Sequence, residues 1–589
     1  MQRTEKWVIM SRPGDYAGIG KRYGISPVLA RIMGNRGVDL SSEDEVRDYL
    51  STEPISQDEI LASARTMKDM DRAVNIIRDK IEKGKKIRVV GDYDIDGVTA
   101  SFILIKGLRK AGADTDHRLP HRIRDGYGLN FNIINEAKDD NVDTIITCDN
   151  GIAAAEEIRL AKEYGMTVIV TDHHEVPFHL NGEERKEDLP DADAVVDPKR
   201  SDCNSAFRSI CGAFVAYKFI LSLYDEMGID IKEAEEFLEI AAFATIGDVM
   251  PLKNENRRLV REGLKRLKHT VNPGLRALIS LNSLEGKELS YYHVGFVLGP
   301  CLNAAGRLGD AEDALELLLS ETPDSAHEKA VILKEMNDSR KSITEKGVEK
   351  ALEISDSKQY ENDTILVIYL PDSHESVAGI VAGKVRERTG KPVFILTDGI
   401  TSDGEECLKG SGRSIDSFNM FEAMTEVKDV FIKYGGHAMA AGLSLPKEKL
   451  SEFRERINNN SSLSKEDLAV KIKIDMELPL SFVSFDLVRE IERLEPCGTE
   501  NEKPVFAARD IKISDMRVFG ANRNVLKGMA EDNKVGRVDC VYFGTDAEEM
   551  KDYIEDRERA GEGLKILYSP GINEFRGSET LQIVLNGIK

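Results

Sequence analysis

The sequence predicts an α/β protein: a parallel-sheet domain, a mostly helical connector, a smaller α/β domain and a small antiparallel β-barrel. Three observations predict it. Short β-branched apolar runs at Ile87–Val90, Val142–Cys148, Thr167–Thr171 and Ala194–Val196 alternate with helical patterns at Thr99–Ala111 and Ile152–Tyr164, which implies βαβ units. The alternation restarts beyond residue 350, as strand Thr364–Tyr369, helix Val377–Thr389, strand Pro392–Leu396 and helix Met420–Tyr434. Finally, short alternating strands with turns crowd the last part of the chain, among them Val470–Ile474, Val538–Phe543, Leu564–Tyr568 and Leu581–Leu585.

In chain order, residues 1–60 are polar and turn-rich, with one amphipathic stretch, and form an N-terminal extension. Residues 61–251 hold the first set of strands and close on the strongly apolar helix Glu233–Thr245. Residues 252–350 show long charged-apolar periodicity with few strand signals. The second α/β region covers residues 351–457, and the polar run Asn458–Ser462 is a linker to the barrel at 463–589. At 589 residues the chain has room for three or four domains of roughly 100–200 residues each.

Hydrophobic content of 41% and charged content of 31% describe a soluble globular protein. The opening Met1-Gln-Arg-Thr-Glu-Lys carries no apolar signal core, and no apolar run approaches the ~18 residues of a membrane span. Seven scattered cysteines without a Cys-x-x-Cys pair fit reduced core residues of a cytoplasmic protein. A formal charge of −23 argues against an overall basic surface but not against a local basic track. Arg257, Arg258, Arg261, Lys265, Arg266, Lys268 and His269 are either such a track or a solvated helix face.

The chemistry concentrates at strand ends, where open parallel sheets gather functional groups. Asp92, Asp94 and Asp96 stand at alternate positions after the first strand, and residues spaced by two share one side of an extended chain. Three carboxylates in register repel unless a cation sits among them, although an Asx-rich turn before a helix is the bland alternative. Asp149 follows Val142–Cys148, Asp172-His173-His174 follows Thr167–Thr171, Asp197 follows Ala194–Val196, and Asp248 lies just past Glu233–Thr245. Taken singly, Asp149 reads equally well as a helix N-cap and the histidines as a loop pair. Together, carboxylates plus imidazole without thiolates favour Mn²⁺ or Mg²⁺ over structural zinc. So many anionic groups suffice for two cations about 3.5–4 Å apart, the arrangement of a binuclear phosphoesterase.

At these residues the chain resembles the DHH/DHHA1 phosphoesterase family, and within it the single-strand-specific exonuclease branch. The resemblance runs from about residue 60 to the C-terminus. It rests on Gly-Asp92-Tyr-Asp94-Ile-Asp96-Gly, Cys-Asp149-Asn-Gly, Thr-Asp172-His173-His174, Ile-Gly-Asp248-Val-Met-Pro-Leu, Asn303-Ala-Ala-Gly-Arg307-Leu-Gly and Gly435-Gly436-His437-Ala-Met-Ala-Ala-Gly442. It implies one metal held by Asp92, Asp94 and Asp149, and a second held by Asp96, Asp149, His173 and Asp248. It also implies that His174 faces the scissile phosphate and that Asp172 orients a histidine. The parallel-sheet region is then the DHH domain, the second α/β region the DHHA1 domain, and the barrel an OB fold.

For the substrate, the resemblance implies that Arg122, Arg307, Ser411 and Arg413 grip a 5′-terminal phosphate, that Gly435, Gly436 and His437 provide close backbone approach and amide donors for phosphate, and that Asn303 is a further substrate-binding residue. Ordinary alternatives are surface salt bridges for the arginines, a helix C-cap for Gly435-Gly436-His437, and a flexible loop for Gly410–Ser414. Arg517, Phe519, Arg523 and Lys527 would guide the strand over the OB fold, although Asn522–Lys527 and Ser373–Ser376 depart from the family pattern. The implied activity is 5′→3′ degradation of single-stranded DNA to 5′-mononucleotides in repair and recombination, in the cytoplasm, with a helicase and a single-strand-binding protein as partners. The alternatives are a nanoRNase or cyclic-dinucleotide phosphodiesterase of the same family, which would lack the barrel, and a non-catalytic single-strand-binding scaffold.

Overall fold

The computed structural model describes residues 5–122, 124–182, 184–401, 404–533, 536–575 and 577–589. It divides into two compact units. The first comprises residues 57–248 and 263–471 with the described residues before 7, and the second residues 7–56, 249–262 and 472–589.

In the first unit a five-stranded parallel sheet runs in the order Asp114–Arg118, Lys86–Val90, Thr144–Cys148, Thr167–Thr171, Ala194–Val196. Its inner strands are β-branched because both faces are covered, and all of Thr144–Cys148 is buried. The edge strand Asp114–Arg118 escapes the sequence pattern because its Asp-Thr-Asp-His-Arg run is polar. The helix expected from Thr99 starts at Ile95, and it and Gly212–Met227 are buried on nearly every side. They approach through Gly107, where a Cβ would lie 2.5 Å from Ile220 Cδ1. A π-helical stretch, His293–Leu298, runs directly into helix Gly299–Leu308, and the 33-residue helix Pro323–Ser355 follows.

The second sheet of this unit has the order Lys433–Gly436, Ala440–Leu445, Glu406–Arg413, Val393–Ile400, Leu366–Tyr369. Two expectations are corrected here. The helix predicted over Met420–Tyr434 ends at Glu426, a 3-10 turn covers Lys428–Val430, and Tyr434 lies in strand Lys433–Gly436, because Val427, Val430, Phe431 and Ile432 are weak helix formers ahead of a glycine pair. Gly410–Arg413 is the end of an inner strand, not a loop.

The second unit carries a sheet ordered Met476–Glu477, Phe506–Phe519, Val525–Glu531, Arg537–Phe543, Ser578–Ile588, Leu564–Phe575, and the last strand pairs back with Phe506–Phe519. The strands are longer than the short runs read from sequence, reaching 14 residues. Register shifts between Ser514 and Arg517 and between Ala508 and Ile511 let that strand bend between two neighbours. Residues 7–56 are more ordered than their polar composition suggested. Helices Tyr16–Tyr23, Pro27–Asn35 and Glu43–Leu50 bury Leu29, Met33 and Val46 in one core with Phe506, Ile566 and Tyr568. Ser26 before Pro27, and Ser42 before three acids, are N-terminal helix signals that composition alone hides.

The basic track is also corrected. Arg257 Nη2 donates to the Arg493 carbonyl at 2.8 Å and Arg261 Nη2 to that of Glu495 at 2.6 Å, so these guanidinium groups serve the packing of the second unit. In the first unit Arg266 pairs with Glu235 and Lys268 with Glu288.

Candidate metal centre

The three alternating aspartates do not ride on one strand. The strand ends at Val90; Asp94 N-caps the following helix, accepting from the Asp96 and Gly97 amides at 2.9 and 3.1 Å, and Asp96 lies in its first turn. Capping and carboxylate clustering therefore coexist. Asp96 is fully buried and accepts from the Gly212 and Ala213 amides at 2.6 and 2.8 Å, at the positive end of helix Gly212–Met227. Asp92 accepts from the Gly128 amide at 3.3 Å.

Asp149 follows Thr144–Cys148 with φ 62°, a left-handed conformation that costs a non-glycine residue roughly 1–2 kcal/mol. It is not an N-cap, since the next helix begins at Ala155. Its Oδ1 is buried and receives no hydrogen bond. That oxygen lies 3.0 Å from His173 Nε2, which is 3.4 Å from Asp96 Oδ2 and 3.8 Å from Asp248 Oδ2. The ligand atoms of Asp92, Asp94 and Asp149 lie within 4.8 Å of one another, as do those of Asp96, His173 and Asp248, and those of Asp149, His173 and His174. Asp149 is common to the first and third of these groups, and His173 to the second and third. Carboxylate and imidazole lone pairs gathered this closely fit a divalent cation, and the oxygen-rich donor set fits Mg²⁺ or Mn²⁺.

The electrostatics show the same convergence. Burial, and then the charge of Asp94, push Asp92 up to about 8. Burial, and then Asp96, push Asp248 up to about 8, and Asp149 rises well above the carboxylate range for burial and its acidic neighbours. Such a site holds protons until cations displace them. Burial depresses His173 and keeps its imidazole neutral, as a ligand requires. His174 is opposite: burial would lower it, but the hydrogen bond and charge of Asp172 outweigh that and lift it to about 9.

Asp172 is committed to hydrogen bonds and is in none of the candidate ligand groups. Its Oδ1 accepts from the His173 and His174 amides at 2.7 and 3.2 Å and lies 2.8 Å from His174 Nδ1, and its Oδ2 accepts from the Ile152 amide at 2.9 Å. Asp197, buried beyond the next strand, accepts from the Lys199 amide at 2.7 Å and is in none of the candidate ligand groups.

Beside these groups sits a cluster of cations. Arg122 lies over the Tyr93 ring at 5.0 Å. Burial, then the charges of Arg122 and Arg340, bring Arg307 down to about 10, and burial, then Arg386 and Arg122, lower Arg413. Arg122 is therefore near both, and the three form an anion-attracting set. Arg307 also donates to the Ser376 carbonyl at 3.0 Å, and Arg413 to Ser411 Oγ at 3.1 Å. Asn303 belongs to the metal loop, its Oδ1 accepting from the Ile95 amide at 2.9 Å. Gly435, Gly436 and His437 form a hairpin corner, not a helix cap: the His437 amide donates to the Ala440 carbonyl at 2.8 Å, and Gly436 has φ 141°.

Tyr127 is the residue that sequence reasoning passed over. Its hydroxyl donates to the Asp149 carbonyl at 2.8 Å and lies 3.2 Å from His174 Nδ1. The signal was Gly126-Tyr127-Gly128, whose glycines both have positive φ. Among the second-unit candidates, Phe519 is 47% exposed, Arg517 and Lys527 are register partners on adjacent strands, and Arg523 is paired with Glu548.

Comparison with known proteins gives three matches to family models: the DHH family N-terminal domain over residues 86–245, the DHHA1 domain over 362–461 and the RecJ OB domain over 474–587. The single-stranded-DNA-specific exonuclease RecJ of Bacillus subtilis is 34% identical over 563 residues, covering 95% of this chain and 68% of that protein. RecJ of Salmonella typhimurium is 32% identical over 587 residues, covering 96% of each. The crystal structure of RecJ from Thermus thermophilus in complex with Mn²⁺ superposes with a TM-score of 0.79 at 26% identity, covering 100% of this chain and 80% of that one.

Proposed function

The chain belongs to the RecJ family of single-stranded-DNA-specific exonucleases, and from that premise we propose how its residues divide the work of degrading a strand from the 5′ end to 5′-mononucleotides. It is a metal-dependent nuclease acting on single-stranded DNA. Asp92, Asp94 and Asp149 hold one divalent cation, and Asp96, Asp149, His173 and Asp248 the other. When bound, the pair, Mn²⁺ or Mg²⁺, polarises the phosphate and acidifies water.

The protein's own groups position and neutralise. His174 is protonated at neutral pH, anchored through Nδ1 by Asp172, and turns Nε2 toward the scissile phosphate, where an N–H offsets developing charge. Tyr127 steadies both the Asp149 backbone and the His174 ring. Arg122, Arg307, Arg413 and Ser411 hold the terminal 5′-phosphate with forked donors. Asn303 fixes the loop that carries Asp94, and the side-chain-free Gly435 and Gly436 with His437 admit the strand's backbone. Water forms the new bond to phosphorus as the bond to the 3′-oxygen of the terminal nucleotide breaks; that oxygen takes up a proton, and the shortened strand keeps a new 5′-phosphate.

The observation that carries this reading is the buried, hydrogen-bond-free Asp149 Oδ1, 3.0 Å from His173 Nε2, in a carboxylate that gathers with Asp92 and Asp94 on one side and with His173 and His174 on the other. The test supplies end-labelled single strands, with and without a 5′-phosphate, together with Mn²⁺. Label is expected first from the 5′ end and faster with the phosphate; release from the 3′ end would overturn the polarity, and full activity of Asp149→Ala the bridging role. A duplex requires prior opening, so a helicase and a single-strand-binding protein are the expected partners, in the cytoplasm. Among the described residues no helix is long and apolar enough to cross a membrane.

A further inference from the structure

We propose that Lys409 and Lys433 form a second phosphate subsite, which accepts the outer phosphates of a single strand ending in a 5′-di- or triphosphate. This rests on the reading that Arg122, Ser411 and Arg413 hold the terminal monophosphate. The register of the second sheet builds the subsite. Ser411 stands opposite Gly442, which stands opposite Gly435; one step along, Lys409 stands opposite Ser444, which stands opposite Lys433. Residues spaced by two share a face, so Arg413, Ser411 and Lys409 are graded along one strand at steps of ~6.8 Å.

Between the two cationic ends the floor is bare. A Cβ added at Gly435 or Gly442 would meet nothing within 4 Å, so a ligand can lie on the sheet. The cavity above is about 540 Å³ and is lined by Arg122, Ser376, Lys409, Ser411, Lys433 and Ser444, much more room than one phosphate fills. Glu375 also lines it and lies 3.2 Å from Lys409, neutralising part of that charge. Lys433 is exposed, and among the described residues no carboxylate pairs with it. Lys433 thus supplies the net positive charge, and Ser444 supplies a hydroxyl donor. A polyphosphate tail reaching past Ser411 would find complementary groups where a monophosphate finds none.

The experiment compares kcat/KM of the full chain with Mn²⁺ on single strands ending in 5′-hydroxyl, 5′-monophosphate and 5′-triphosphate. Triphosphate-ended strands are expected to be degraded at least as well as monophosphate-ended ones. Lys433→Glu should lower the triphosphate-to-monophosphate ratio about tenfold or more, the cost of replacing a charge-assisted contact by repulsion, while Lys433→Arg preserves it. Discrimination against the triphosphate by the unaltered protein, or a ratio indifferent to Lys433→Glu, would overturn the subsite. Competition by a circular single strand that weakens in Lys433→Glu would assign the same lysines to internal phosphates of a threading strand, and would also overturn it. If the monophosphate gives no advantage over the hydroxyl end, the terminal-phosphate grip fails instead.

Discussion

Asp149 combines a strained backbone, a buried carboxylate and repulsion from its acidic neighbours, and only a function that needs the charge explains their coincidence. Asp149→Asn removes the repulsion, and asparagine tolerates positive φ well. In EDTA its melting temperature is therefore expected to rise, while exonuclease activity falls by about a thousandfold or more, the several kcal/mol that a metal site supplies. A variant that loses activity and metal-free stability together would point to a structural role. Asp172 works one step removed. Asp172→Asn takes away the negative charge that helps keep His174 protonated and leaves at best a neutral hydrogen bond, so the alkaline limb of the activity profile is expected to move to lower pH. The accompanying loss is about 10–100-fold, with Mn²⁺ stoichiometry by titration unchanged. At this scale the acids and histidines were legible because each follows a strand or helix end. Tyr127 and the loop-holding role of Asn303 were not, since both depend on partners 22 and 208 residues away.

Elements were legible where burial dictates composition and illegible where it does not. Thr144–Cys148 and Thr167–Thr171 are covered on both faces and read as β-branched runs. Glu406–Arg413 is an inner strand too, but its sequence, Glu-Cys-Leu-Lys-Gly-Ser-Gly-Arg, trades strand propensity for a bare, cationic face beneath a cavity. Helix Ile95–Lys110 shows the opposite trade. Its first turn holds Asp96 and Gly97, so the boundary residues that a periodicity reading discards are the ones the proposed metal site uses. A Cβ at Gly97 would stand 2.5 Å from the Asp92 backbone nitrogen. Alanine there gains up to ~1 kcal/mol of helix propensity but must displace the Asp92 loop, an overpacking cost of about 1–3 kcal/mol. Gly97→Ala is therefore expected to lower the melting temperature and to weaken Mn²⁺ binding measured by calorimetry. Unaltered metal affinity would mean that the loop yields without moving its carboxylates.

For the whole molecule, the sequence conveyed the order of architectures but not which segments fold together. Residues 7–56 join the second unit's core through side chains such as Ile25, Leu29, Ile32, Met33 and Val46, which are spread over short helices and the turns between them and separated by charged residues, so they form no long periodic run. The first unit's stability is tied to cations in a way that pH exposes. Asp92 and Asp248 stand at about 8 in the fold, raised first by burial and then by neighbouring aspartates, against roughly 3.9 for a free aspartate. Groups with raised values bind more protons folded than unfolded, so between about pH 4 and 8 each rise in pH removes stability. Divalent cations take the place of those protons, and a ligand at a hundredfold its dissociation constant adds about 2.7 kcal/mol. In EDTA the thermal transition of the first unit is thus expected to fall steadily from pH 5 to pH 8. With saturating Mn²⁺ it should stay high, so that the metal-induced shift grows with pH, while the transition of the second unit, which contains none of these carboxylates, does not respond. A metal-induced shift that shrinks as pH rises would mean that the carboxylates are already ionised without cations, and that their closeness is maintained by something other than the ions they gather.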